Sequence, residues 1–344
     1  MKRRRLLAGA GLALATARAP AAAPAALPAV LQQPALLTPL APRAALLAAA
    51  RAGRRIVVAG ERGIVLSSDD DGQTWAQSRV PVQASLTALT FADERRGWAA
   101  GHFGVLLRTE DAGASWSLQL DGVRAAQLAL QGAADEAQRR AAQRKVDEGA
   151  DKPWFDLALG GGALLAVGAY GLALEWRDGA APQSFAQRLP NPRQLHLYGV
   201  RRAGDRIFIA GEQGLLLRSS DGGASFEALA SPYKGSFFGV LITASGAVLA
   251  YGLRGNIFRS ADGGNRWTPV ANPVPVGISA GVQRSDGRIV LAAQNGDLLT
   301  SRDDGQSFQR DAATPPFPAA ALAATDGGPI VLAGLRGVKR HAAA

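Results

Sequence analysis

Cysteine is absent from the 344 residues, which excludes disulfides, thiol catalysis, thiolate metal sites and a lipid-modified N-terminal cysteine. Histidine is nearly absent: His102, His196 and His341 are too few for a histidine-rich metal centre, so no metal and no other cofactor is expected. Charged residues make up 19% of the chain against 47% hydrophobic ones, a balance that excludes a disordered or coiled-coil body. No apolar run is long enough for a permanent membrane anchor. Glycine (41) and proline (19) are plentiful, as in a chain of many short strands and turns. The length suits two average domains or one closed all-β fold, so the internal pattern must decide.

The chain opens with Met1-Lys2-Arg3-Arg4-Arg5, an apolar stretch from Leu6 to Ala15, and small residues ending in Ala15-Thr16-Ala17. That order predicts an export signal over 1–17 and places the mature protein in the periplasm, or in the lumen if the host is phototrophic. Arg3-Arg4 before Leu6-Leu7 is compatible with the twin-arginine route and with the general secretory one. Loss of Lys2, Arg3, Arg4 and Arg5 would take the formal charge from +10 to about +6, still basic. Export argues against a nucleic-acid partner and for an acidic surface on a membrane protein or complex. A monomer is expected.

Repeats organise the rest of the chain. Ile56-Val57-Val58-Ala59-Gly60 recurs as Gly97-Trp98-Ala99-Ala100-Gly101, Leu164 to Gly168, Ile207 to Gly211, Val248 to Gly252, Ile289 to Ala293 and Ile330 to Gly334. The spacing is about 41 residues except between the second and third copies, where it is about 67. Each copy continues through two turn residues and a glycine into a second alternating run, the mark of a β-hairpin. A strand-like run precedes each hairpin and another comes after it. Four strands per repeat and seven repeats predict an all-β, seven-bladed propeller over 29–344.

The turn between the third and fourth strands carries the Asp-box pattern Ser/Thr-x-Asp-x-Gly-x-x-Trp/Phe. Its five copies are Asp70, Gly72 and Trp75; Asp111, Gly113 and Trp116; Asp221, Gly223 and Phe226; Asp262, Gly264 and Trp267; and Asp303, Gly305 and Phe308. Aspartate accepts backbone N–H groups within a turn, glycine takes positive φ, and the aromatic ring folds back onto the sheet. These residues are therefore expected to be structural, not catalytic. The third repeat keeps only Glu175-Trp176-Arg177-Asp178-Gly179 with a distant Phe185, and the seventh runs out at Gly337-Val338-Lys339-Arg340. Residues Ala29 to Leu37 are expected to supply the outer strand that the last blade lacks. Residues 122–153, rich in Ala, Gln, Glu and Arg, read as an inserted helical or flexible excursion between blades two and three.

In a propeller the turns joining strands two and three share a face with the loops joining one blade to the next. That face gathers Arg62, Phe103, Tyr170, Arg254 and Arg336 from the turns, and Arg193, Tyr233 and Lys234 from the loops. Arginine's planar fork suits carboxylates, and aromatic residues with arginine are enriched at interface hot spots, so these eight are the expected partner contacts.

The Asp boxes, the turn glycines in almost every repeat and the truncated last blade resemble the photosystem II stability/assembly factor family, over about Ala29 to Arg340. The resemblance implies a non-catalytic propeller on the lumenal or periplasmic side whose arginine-bearing face helps a membrane protein complex assemble. Arg62, Arg254 and Arg336 occupy the equivalent turns. Asp boxes also occur in sialidases, and a glycoside hydrolase is the rival reading. It would need three converging arginines, a Tyr–Glu pair and an acid/base aspartate in the funnel, or at least two carboxylates flanking one bond. The candidate carboxylates here are Glu61, Glu175 and Glu212. A companion of a membrane transporter would use the same basic face.

Overall fold

The computed structural model describes residues 27–312, 315–325 and 327–341; the expected export signal lies outside them. Seven antiparallel sheets follow one another along the chain. In blade one, Leu46–Ala52, Arg55–Gly60, Val65–Ser68 and Ala76–Gln77 pair in chain order. Each innermost strand packs beside that of the next blade, and Ala319–Ala324 of blade seven packs beside Leu46–Ala52, which closes the ring. The second strands are almost wholly apolar because both faces are covered: Ile289–Ala293 and Ile330–Gly334 are buried at every position, and only the leading Arg55 and Arg206 break the pattern.

The Asp-box turns work as their chemistry predicts. Ser68 Oγ donates to Asp70 Oδ1 at 2.7 Å and accepts the Gly72 N–H at 2.8 Å, while Asp70 accepts the Gln73 and Thr74 N–H groups. The residue before the motif glycine takes positive φ, as at Asp71 (57°) and Ala112 (60°). Hydrogen bonds from the Thr74 hydroxyl and backbone hold the Asp70 carboxyl well below the usual carboxylate range. The same arrangement recurs at Asp111, Asp221, Asp262 and Asp303.

Blade seven differs from the expectation in detail. Among the described residues its sheet has three strands, ending at Gly337–His341, while the other six sheets have four. Residues 29–37 do not supply the missing strand. They run along blade one instead: the Ala35 N–H donates to Val80 O at 2.9 Å, the Gln83 N–H to Val30 O at 2.7 Å, and the Gln77 amide bonds Leu36 O and the Thr38 N–H. Pro34 interrupts this segment and Pro28, Pro39 and Pro42 flank it, each removing an N–H donor that a regular ladder needs.

The excursion is helical. Helix α1 (Gly122–Gln131) is capped by Asp121, whose side chain accepts the Arg124 N–H, and helix α2 (Glu136–Glu148) by Asp135, which accepts that of Gln138. Ala125 and Leu128 of α1 join the cluster of Leu120, Trp154 and Leu172 between blades two and three.

Candidate functional site

The turns between second and third strands are built on strain. Arg62 and Gly63 lie in the left-handed region at φ 52° and 73°, and the Ile64 N–H closes onto Glu61 O at 3.0 Å, the geometry of a type I′ turn. Phe103 (57°), Tyr170 (52°), Gln213 (53°) and Arg254 (58°) occupy the same position in blades two to five. Such turns ordinarily take Asn, Asp or Gly there, since a larger side chain at positive φ costs on the order of 1 kcal/mol or more. Five blades of this chain place Arg, Phe, Tyr, Gln and Arg at that tip. Blades six and seven turn through Gly296 and Gly337, so Arg336 is exposed but unstrained.

A second regularity lies inside the ring. Every innermost strand shifts register at its turn-face end, leaving one extra residue per blade: Leu47, Thr87, Phe155, Tyr198, Phe238, Ser279 and Ala320. Bulges re-aim side chains, and all seven of these line the central channel. In blades two and six the bulge hydroxyl bonds the next strand: Thr87 Oγ1 to Trp154 O at 2.7 Å, Ser279 Oγ to Ala319 O at 2.6 Å. In blades three to five the bulge residue is aromatic.

Those three rings join the turn tips into one surface. Phe155 lies 5.4 Å from Tyr198, which lies 5.9 Å from Phe238, ring centre to ring centre. His196 meets Phe155 at 6.0 Å, Tyr198 at 5.9 Å and Tyr170 at 4.7 Å, while its Nδ1 accepts the Tyr170 N–H at 2.9 Å. A continuous aromatic band thus runs from the half-exposed tip of blade three into the channel mouth. Below it, Arg201 pairs with Asp156, which raises the affinity of the guanidinium for its proton, and burial pushes the Tyr251 hydroxyl up to about 12. Gly239 belongs to this packing: a Cβ there would sit 2.5 Å from the Tyr251 ring.

The helical insertion sits over the same face. Gly122 abuts Gly104, which leaves Phe103 half-buried. Lys145 of α2 is buried and donates from Nζ to Tyr170 O at 2.9 Å; burial, with Lys152 and Arg144 nearby, pushes its amine down to about 8. Lys152 Nζ stands 5.5 Å from the Tyr170 ring centre.

The predicted contact residues are spread over the turns and loops of blades one to five and seven. Arg62, Arg254 and Arg336 are exposed on blades one, five and seven. Exposed Arg193 donates to Gln213 Oε1, tying the loop before blade four to that blade's turn. Lys234 is exposed, whereas Tyr233 is half-buried against Phe237 and Phe258. The candidate carboxylates are engaged in structure: Glu61 accepts the Ala45 N–H at 2.9 Å, Glu212 that of His196 at 3.2 Å, and buried Glu175 pairs with Arg177 and Arg188. Sequence reasoning missed Phe155 and Phe238. Exposed leucines also escaped it: Leu36, Leu37, Leu40 and Leu335 are each more than 60% exposed, and the turn at Gly337 abuts Pro42. No group of three or more potential metal ligands occurs among the described residues.

Fold and site together define a seven-bladed β-propeller. No family model matches the sequence, and no curated protein does. Solved structures match the fold. One is described as YCF48 bound to D1 peptide, with a TM-score of 0.65 and 19% identity over 88% of this chain and 94% of that one. YCF48 from Cyanidioschyzon merolae gives 0.64 and 16% over 87% and 96%. A streptogramin B lyase gives 0.65 and 11% over 87% and 93%. At these identities the likeness is one of fold.

Proposed function

We propose that this propeller is an exported, non-catalytic docking protein that holds a segment of a membrane protein or complex on its turn face and so aids assembly or stability. The observation that carries the proposal is the pairing of strained tips with aromatic bulges on one face. Large side chains kept at left-handed positions, beside an aromatic band that no core requires, are costly as structure and useful as an interface. Arg62, Arg254 and Arg336 would steer an acidic partner, and Tyr170, Tyr198 and Phe238 would supply the buried anchors. The peptide carried by one structural neighbour supports the same class of ligand. The hydrolase reading loses ground, because the channel is lined by one arginine and one aspartate already paired with each other, and Glu61, Glu175 and Glu212 serve as turn and ion-pair anchors.

The test is crosslinking in the host followed by mass spectrometry of what the tagged protein retains. Wild type should recover a membrane protein that the Arg62→Ala/Arg254→Ala/Arg336→Ala variant recovers several-fold less. Equal recovery by both would remove the basic tips from the site.

A further inference from the structure

The Asp-box aromatics do more than close their own turns: each packs on the blade before it. The floor of each seat is the second residue of the repeated pentapeptide in the second strand, in order Val57, Trp98, Leu165, Phe208, Leu249, Val290 and Val331. Trp116 sits in the cluster of Val57, Phe226 in that of Leu165, Trp267 in that of Phe208, Phe308 in that of Leu249, and Trp75 in that of Val331. Blade three has lost the motif, yet its Trp176 lies 5.1 Å from Trp98 and fills the seat on blade two. Six of seven seats are taken. Each of the five Asp-box turns is also latched by an arginine of the preceding blade: Arg340 donates to Asp71 O (2.9 Å), Arg55 to Ala112 O (3.4 Å), Arg188 to Gly223 O (2.5 Å), Arg218 to Gly263 O (2.5 Å) and Arg259 to Asp304 O (2.8 Å).

The seventh seat, on Val290, has no Asp-box aromatic; Phe317 shares the Val290 cluster but does not line the seat. In its place lies a groove of about 380 Å³ between blades six and seven, floored by Val290, Thr300 and Ile330 and walled by Arg284, Arg302 and Arg310 among others. Of the four arginines that line it, Arg284 and Arg288 pair with Asp286 and Arg310 with Asp297, while Arg302 is exposed on the wall; of the two aspartates, Asp303 is engaged in its own Asp-box turn and Asp311 pairs with His341. Beside it runs Gly337–His341, the outermost strand of the one sheet with three strands among the described residues. A seat, an exposed arginine and a strand edge coincide where a seventh Asp box and its outer strand would lie.

We propose that this flank receives an extended segment of a partner protein that completes blade seven. The segment adds a strand antiparallel to Gly337–His341 and places an aromatic side chain on Val290, with an acidic residue about five positions before it facing Arg302. The chemistry is fixed by the internal copies: Asp-x-Gly-x-x-Trp/Phe followed by a short strand. All five copies of that motif in this sequence are already seated, so none of them is spare. The site is separate from the turn face and stands whether or not that face docks a partner.

The probe is a fluorescein-labelled peptide with the sequence of residues 68–80, which holds one Asp box and its outer strand. Fluorescence anisotropy with the full chain should show saturable binding. Affinity should fall about tenfold or more for the peptide carrying Trp75→Ala, and likewise for protein carrying Thr300→Trp, which fills the groove from its floor. Arg302→Glu on the exposed wall is the second variant should Thr300→Trp not fold, and melting curves show whether each does. No saturable binding up to millimolar peptide, or binding that neither protein variant weakens, overturns the proposal. A concentration-dependent dimer that Thr300→Trp abolishes would give the seat to a second copy of the chain and overturn it as well.

Discussion

Trp116 and Trp267 occupy equivalent seats on different blades, yet they should respond in different ways to substitution. Trp116 is 6% exposed, meets Phe91 edge-on at 6.2 Å and donates from Nε1 to Gly113 O at 3.1 Å. Trp267 packs against the Phe208 cluster, but its Nε1 is buried without a hydrogen-bond partner. Truncating Trp116 to alanine removes a large buried ring and leaves a cavity, a loss of about 3 to 5 kcal/mol. With an unfolding entropy near 2.1 cal/mol/K per residue, each kcal/mol shifts the melting temperature of a chain this long by roughly 1.4 °C, so the fall should be about 4 to 7 °C. Phenylalanine separates the two positions more sharply. Trp116→Phe gives up a satisfied hydrogen bond and should cost about 1 to 2 kcal/mol, whereas Trp267→Phe deletes an unsatisfied buried donor and should cost little or nothing. Urea denaturation followed by circular dichroism would measure both. Equal costs, or the reverse order, would refute the assignment of these hydrogen bonds.

The tip of blade five offers a test of stored strain. Arg254→Gly should be more stable than Arg254→Ala by about 1 kcal/mol, because only glycine accepts the left-handed backbone freely, and both variants should lose partner recovery; equal stability would mean that the tip is unstrained. Acid should unfold the protein through its Asp-box carboxylates. Their folded values lie below the ordinary 3.8, Asp303 at about 2, so their contribution is complete above that ordinary value and is lost as pH falls towards 2. Stability measured from pH 7 to pH 2 should stay level and then drop below about pH 4, with a smaller drop in Asp303→Asn. Alanine at Gly63 should be strongly destabilising, since its Cβ would lie 2.0 Å from Val82 O at a φ of 73°; a thermal melt unchanged from wild type would contradict the turn geometry.

The blade count was legible because each blade repeats one period of sequence, and the Asp-box turns because their hydrogen bonds are local. Ser68, Asp70 and Gly72 need only one another to define the turn. The helices at 122–148 were legible in composition, although Lys145 reaching Tyr170 O was not, since that contact joins residues 25 apart in sequence. The outer strand expected from Ala29 to Leu37 was misplaced for a physical reason: Pro34 and the prolines flanking the segment favour single side-chain and backbone contacts to blade one over a ladder on blade seven. Phe155 and Phe238 escaped attention because a bulge changes where a side chain points without changing the apolar pattern. Aligning the second residue of each inner strand would have revealed the three aromatics in succession.

The central claim is that the turn face, and not the ring of Asp-box turns, holds the membrane protein, whether or not a separate segment completes blade seven. A photo-crosslinking amino acid placed at the Arg254 tip, and separately at Gln73 in an Asp-box turn on the opposite face, would test it in the native host. Adducts to a membrane protein from position 254 and none from position 73 are the predicted result. Adducts from position 73 alone, or from both positions equally, would contradict it.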